Sequence, residues 1–104
     1  MKILLLGSHG QVGKELERQL SGLYEVFAFP RYALDMTNHQ AVRETVGRIR
    51  PNFIVNAAAY TAVDLAETNP DYAHAVNAEG VENLANIALT ESAWLIHFST
   101  DYVF

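Results

Sequence analysis

The chain alternates between short apolar runs and longer segments in which apolar residues recur every third or fourth position. The runs at 2–6, 25–29, 53–56 and 94–99 have the length of strands, and the first is apolar throughout, as in a parallel sheet buried on both faces. Strands alternating with helices predict an α/β fold with a parallel sheet, right-handed crossovers and flanking helices. We expect the strand order 3-2-1-4.

Capping and helix-breaking residues mark the ends of three predicted helices. Gly22 ends the first helix, and Thr37 or Asn38 caps the second. Arg50-Pro51 ends the second helix, and Asn69-Pro70 opens the third. Each helix carries one stripe of apolar or small residues that is expected to face the sheet. The stripes consist of Val12, Leu16 and Leu20; Ala41, Val42, Thr45, Val46 and Ile49; and Ala73, Val76, Asn77, Gly80, Val81, Leu84, Ala85 and Ala88.

Glycines follow the first strand at every third position, at Gly7, Gly10 and Gly13. A glycine turn between a strand and a helix lets a phosphate group approach the main chain, and the amides and dipole of the helix attract it. The pattern therefore predicts a dinucleotide site, although its spacing differs from G-x-G-x-x-G. A glycine-rich turn without a ligand is the alternative.

Composition narrows the classes of function. The 104 residues, half of them hydrophobic, suffice for one small domain. A net charge of −5 argues against a nucleic-acid partner. The absence of cysteine excludes disulfides and fits a cytoplasmic protein. The four histidines are dispersed, so no divalent metal site is indicated. No apolar run approaches the ~20 residues of a membrane span.

The end of the second strand bears on the choice of cofactor. NAD-selective folds place a carboxylate near this point to hold the ribose. Here Phe29-Pro30 is followed by Arg31, and Asp35 comes too late in the loop for the usual contact. Since arginine binds a 2′-phosphate well, we expect NADPH to be preferred, with NADH possible. A solvated loop charge is the alternative for Arg31.

Four motifs occur in order: the glycine loop, NAAAYTAVD at 56–64, VNA at 76–78 and STDYVF at 99–104. Together they resemble the extended short-chain dehydrogenase/reductase family, and within it the enzymes that reduce a 4-keto nucleotide sugar. The resemblance covers essentially the whole chain and implies a Rossmann-like NAD(P)-binding domain with a nucleotide-sugar substrate. A non-catalytic dinucleotide-binding regulatory subunit, or another nucleotide-sugar epimerase or dehydratase, are the alternatives.

The resemblance also implies roles for individual residues. Thr100 matches the family's catalytic Ser/Thr, whose hydroxyl stabilises the substrate keto oxygen, and Asp101 would lie beside it near the sugar. A turn with a helix cap is the alternative for these two residues. The implied cofactor-binding residues are Gly7, Gly10, Gln11 and Val12 at the pyrophosphate, Gly13 for close helix packing, Asp35 and Met36 at the adenine, and Ala58, Ala59 and Thr61 at the nicotinamide.

One element of the family's chemistry has no counterpart in these residues. Short-chain reductases protonate the alkoxide with a tyrosine that has a lysine four residues later, whereas the only lysines here are Lys2 and Lys14. We therefore expect residues 1–104 to be the N-terminal portion of the NAD(P)-binding domain, without the substrate domain, binding cofactor weakly and inactive alone. The fourth strand would have an open edge, which predicts self-association.

Overall fold

The computed structural model describes residues 1–58, 71 and 75–98. Within them every predicted strand and helix is present, although the fourth strand ends at His97, earlier than predicted. They are β1 (Lys2–Leu6), α1 (Gln11–Leu20), β2 (Glu25–Phe29), α2 (His39–Ile49), β3 (Phe53–Asn56), a π-helix (Ala75–Gly80) that continues into α3 (Val81–Thr90), and β4 (Trp94–His97). The predicted helix start at Asn69-Pro70 and the end of the last run at Ser99 lie outside the described residues.

The four strands form one parallel sheet with helices on both faces, which confirms the α/β fold class. Alternate residues of β1 are buried on opposite faces, because successive side chains of a strand point to opposite sides. One face packs against α2 and α3 through Leu4, Leu6, Ile54, Val42, Val46, Ile49, Leu84, Ile87 and Ala88. The other packs against α1 through Ile3, Leu5, Val55, Val12, Leu16 and Leu20.

The boundaries of α2 follow from its capping residues. The side chain of Asn38 accepts a hydrogen bond from the Ala41 amide at 3.2 Å, so Asn38 is the N-cap. At the other end Arg50 adopts a left-handed conformation with φ of 54° and donates its amide to the Val46 carbonyl at 2.7 Å. Pro51 follows and cannot continue the helix. Both predicted ends of the second helix are confirmed.

The order of the strands differs from the sequence-based expectation. The observed order is β2-β1-β3-β4, so the predicted order 3-2-1-4 was wrong. That prediction placed the third strand beyond β2, whereas β3 pairs with β1 on the side away from β2. The chain therefore reverses its direction of strand addition after β2. In doubly wound sheets a ligand-binding crevice forms at such a reversal, outside the carboxyl ends of the two strands, which here are β1 and β3.

Candidate cofactor-binding site

At the crevice between β1 and β3, the main chain after β1 packs directly on the main chain after β3. Gly7, the first residue after β1, has φ of +76°, a conformation that L side chains rarely adopt. A Cβ at Gly7 would lie 2.5 Å from the Ala58 nitrogen and 2.8 Å from the Ala57 carbonyl carbon. Only glycine therefore lets the glycine loop and the residues after β3 approach this closely.

Gly13 brings α1 equally close to the end of β1. A Cβ at this position would overlap the Gly7 carbonyl oxygen and lie 2.7 Å from the Ser8 Cα. Gly13 is buried, and atoms of the β1–α1 turn occupy the space that a side chain would need. Two of the three motif glycines are thus required by the packing of the β1–α1 turn.

The N-terminus of α1 presents main-chain donors that no side chain caps. Gly10 is the N-cap residue, with extended φ and ψ of −74° and 172°, and the first turn contains no acidic residue. Lys14 donates the first intrahelical bond, to the Gly10 carbonyl at 2.9 Å. The amides of residues 11–13 precede this bond and lie at the positive end of the helix dipole, the arrangement that binds phosphate groups.

The loop after β2 lies beside the glycine loop. The amides of Gly7 and Ser8 donate to the Phe29 carbonyl, at 3.0 and 3.3 Å. The ring of Tyr32, 85% exposed, meets the His9 ring edge-on, with 6.3 Å between the ring centroids. Arg31 is exposed and directly precedes Tyr32, in the loop that follows the carboxyl end of β2.

Asp35 and Met36 occupy the end of this loop. The Asp35 Oδ1 accepts from the Thr37 amide at 2.9 Å and from the Thr37 hydroxyl at 2.7 Å, which closes the turn before α2. Met36 is only 2% exposed and belongs to the core. Any contact of Met36 with a bound ligand therefore uses its main chain.

The end of β3 carries a buried polar side chain whose role the sequence did not reveal. The Asn56 Nδ2 donates to the His97 Nδ1 at 2.9 Å, and the Asn56 Oδ1 accepts from the Ala58 amide at 3.0 Å. Burial lowers the pKa of the His97 imidazole, so the ring is neutral at neutral pH and Nδ1 can accept. The sequence signal that could have revealed this role is the single amide side chain of Asn56 at the end of an otherwise apolar strand.

The structure brings part of the predicted site together. Gly7, Gly10, Gln11, Val12, Gly13 and Ala58 meet at the carboxyl ends of β1 and β3, while the loop with Arg31 adjoins them at the end of β2. Ala59, Thr61, Thr100 and Asp101 lie outside the described residues. Among the described residues, no group of three or more His, Asp or Glu could hold a metal ion, and no helix is long and apolar enough to cross a bilayer.

A parallel sheet with flanking helices, a strand-order reversal and a glycine turn defines a Rossmann-like fold, the class in which nucleotides bind at such a reversal. Comparison with known proteins agrees with this class. A family model described as "RmlD substrate binding domain" matches residues 1–104. The dTDP-4-dehydrorhamnose reductase of Escherichia coli K12 is 52% identical over 108 residues, covering 100% of this chain and 36% of that protein. The chain therefore belongs to the RmlD family, and the family resemblance seen in its sequence is confirmed.

Solved structures show the same likeness. A dTDP-4-dehydrorhamnose reductase from Bacillus anthracis, in complex with NADP, superimposes with a TM-score of 0.85 at 40% identity, covering 99% of this chain and 37% of that one. The reductase from Clostridium acetobutylicum also gives 0.85, at 44% identity, covering 100% of this chain and 38% of that one. The chain thus spans little more than a third of the length of these relatives.

Proposed function

We propose that these residues are the cofactor-binding part of a dTDP-4-dehydrorhamnose reductase, which uses NADPH to reduce the 4-keto group of dTDP-4-dehydro-L-rhamnose to dTDP-L-rhamnose. The observation that carries the proposal is the β1/β3 crevice, where Gly7 packs on the Ala57–Ala58 main chain beside the uncapped N-terminus of α1. Such a site needs no side chain to bind the diphosphate, because main-chain amides donate hydrogen bonds to it.

The residues present fit a dinucleotide. The amides of Gln11, Val12 and Gly13 would bind the pyrophosphate, and Arg31 would bind the 2′-phosphate of the adenosine. Ala58, with the small residues Ala59 and Thr61 after it, would leave room for the nicotinamide, and Asp35 and Met36 would lie at the adenine. When bound, the reduced nicotinamide supplies the hydride for the reduction.

The substrate side of the site depends on the last residues of the chain. We propose that the Thr100 hydroxyl donates a hydrogen bond to the substrate keto oxygen as negative charge develops on it, and that Asp101 contacts the sugar. No tyrosine among residues 1–104 is followed by a lysine four residues later, so we propose that these residues by themselves do not supply the tyrosine–lysine pair that protonates the alkoxide in short-chain reductases. We therefore expect them to bind cofactor weakly without reducing the ketone.

Titration of the 104-residue chain with NADPH and NADH tests the cofactor assignment. We expect NADPH to bind more tightly, and Arg31→Ala to weaken NADPH roughly tenfold while leaving NADH unchanged, because only NADPH carries the 2′-phosphate. Arg48→Ala is the matched control. Arg48 is an exposed arginine in the last turn of α2, at the amino edge of the sheet, and its loss should change neither affinity. Equal losses in Arg31→Ala and Arg48→Ala would remove Arg31 from the site.

Enzymatic assay of the same polypeptide tests the expected inactivity. With dTDP-4-dehydrorhamnose present, NADPH absorbance at its reduced-nicotinamide band should stay constant. Substrate-dependent NADPH oxidation above the rate of a Thr100→Val variant would show that this stretch is sufficient for catalysis.

The described sheet also supports self-association. β4 pairs with β3 alone in this sheet, and two of its side chains, Trp94 and Ile96, are 72% and 45% exposed. Because an open apolar strand invites pairing with another chain, we expect sedimentation velocity to show concentration-dependent association of the 104-residue chain. Ile96→Lys should reduce it, whereas a monomer at all concentrations would contradict the proposal.

A further inference from the structure

Asn56 is a polar side chain placed where the sheet buries it completely. It is 0% exposed, and an amide removed from water costs free energy unless it is hydrogen-bonded. Both ends of this amide are bonded, Nδ2 to the His97 Nδ1 and Oδ1 to the Ala58 amide. The two partners lie on different segments, one at the end of β4 and one in the turn after β3.

The turn held by Asn56 is a wall of the β1/β3 crevice. The Ala58 nitrogen that donates to Asn56 Oδ1 is also the atom nearest to a Cβ built at Gly7, at 2.5 Å. The adjacent Ala57 amide donates to the Leu6 carbonyl at 2.9 Å. A change in the Asn56 amide plane therefore shifts the main chain on which the glycine loop packs.

His97 fixes the orientation of that amide plane. An asparagine amide can rotate by half a turn, which would exchange its donor and acceptor ends. In the His97 tautomer protonated at Nε2, Nδ1 accepts from Asn56 at 2.9 Å, which keeps Nδ2 directed at β4 and Oδ1 directed at the Ala58 amide. The Phe98 amide, which donates to the Asn56 carbonyl at 3.0 Å, ties the end of β4 to the same residue.

We propose that Asn56 and His97 are positioning residues for the cofactor site, acting through the Ala57–Ala58 turn that closes the β1/β3 crevice. The inference rests on the proposed cofactor-binding function and adds to it two residues that need not touch the ligand. It also implies that the end of β4, three residues before Thr100 in the sequence, is held in register with the cofactor side of the crevice.

Variants at His97 separate positioning from general stability. His97→Leu removes the acceptor, while His97→Gln supplies a side-chain oxygen that can accept from Asn56. Leu95→Ala is the control, because Leu95 packs against the core on the same strand without bonding to Asn56. NADPH affinity is measured at a temperature at which circular dichroism shows every variant folded. The ¹⁵N-resolved amide resonances and hydrogen exchange of Gly7 and Ala58 are measured without ligand.

We expect His97→Leu to weaken NADPH binding about five- to tenfold, the loss of roughly one hydrogen bond's worth of positioning. It should also speed exchange of the Ala58 amide, and His97→Gln should restore both. Leu95→Ala should change neither. An unaltered Ala58 amide in His97→Leu, or the same loss of affinity in Leu95→Ala, would overturn the inference. Failure of the wild-type chain to bind NADPH would instead contradict the proposed function, and the amide measurements would still decide the positioning role.

Discussion

At the scale of single residues, Gly7 is a position where the backbone conformation and the packing together restrict the residue type to glycine. Its φ of +76° and the short distances to Ala57 and Ala58 predict that Gly7→Ala strains the turn and forces away the main chain that follows β3. We expect the free energy of unfolding to fall by more than about 2 kcal/mol, since a left-handed conformation alone costs a side-chain-bearing residue about 1–2 kcal/mol. Chemical denaturation measures the change.

Gly47→Ala is the matched control for this prediction. Gly47 lies on the exposed face of α2, and a Cβ there would meet nothing within 4 Å. Alanine favours a helix interior over glycine by about 0.5–1 kcal/mol, so this variant should be more stable than the wild type. If Gly7→Ala and Gly47→Ala changed the stability alike, the close packing at Gly7 would be disproved.

His97 gives the fold a defined response to pH. Burial lowers its pKa in the folded chain, so the unfolded chain takes up a proton first as the pH falls, at its ordinary pKa of about 6.5. The stabilising contribution is therefore complete above pH ~6.5 and is lost as the pH falls through the folded-state pKa. Between pH 7 and 5, urea denaturation should show a smaller loss of stability for His97→Gln than for the wild type. A larger loss of stability in His97→Gln than in the wild type would contradict this predicted direction.

The residues of the site were predictable to unequal degrees. Gly7 and Gly13 could be read from the sequence because their spacing coincides with a strand-to-helix turn, and the structure gives each a steric reason. The Asn56–His97 bond joins residues 41 positions apart, and no local pattern relates them. Tyr32 was likewise unpredicted, since its contact with His9 depends on how two loops meet.

At the scale of elements, the N-cap of α2 offers a direct test of how the sequence sets helix boundaries. Asn38→Ala removes the acceptor for the Ala41 amide and should lower stability by about 1 kcal/mol. Asn38→Asp keeps an acceptor and adds a negative charge at the helix N-terminus, so its stability should stay near that of the wild type. Thermal and urea denaturation of both variants decide the point; an unaffected Asn38→Ala would mean that Thr37 replaces the cap.

Element positions were predictable because each depends on neighbouring residues. Short apolar runs located β1, β2 and β3, and a helical apolar pattern with its capping residues located α2, with the bounds that the structure has. The π-helix at Ala75–Gly80 was not predicted, because a helical stripe of apolar and small residues does not distinguish it from an α-helix. Its junction with α3 falls at Gly80, a position the pattern had assigned to a continuous helix.

At the scale of the whole molecule, the strand order could not be derived from local patterns. Both faces of β1 are apolar, so hydrophobicity does not say on which edge the next strand adds. Only the placement of β3 beside β1 defines the reversal, and with it the crevice at the ends of β1 and β3. The class of fold was therefore predictable, while the place where its ligand crevice opens was not.

Nuclear magnetic resonance titration of the ¹⁵N-labelled chain with NADPH tests the proposed binding site most directly. If the β1/β3 crevice and the N-terminus of α1 bind the diphosphate, the largest saturable shifts should fall on the amides of Gly7 and residues 10–13, with smaller ones at Arg31 and Ala58. The amide resonances of α2 and α3 should remain unchanged. Saturable shifts confined to these two helices, or no shift at residues 10–13 in the folded chain, would contradict the assignment of this site.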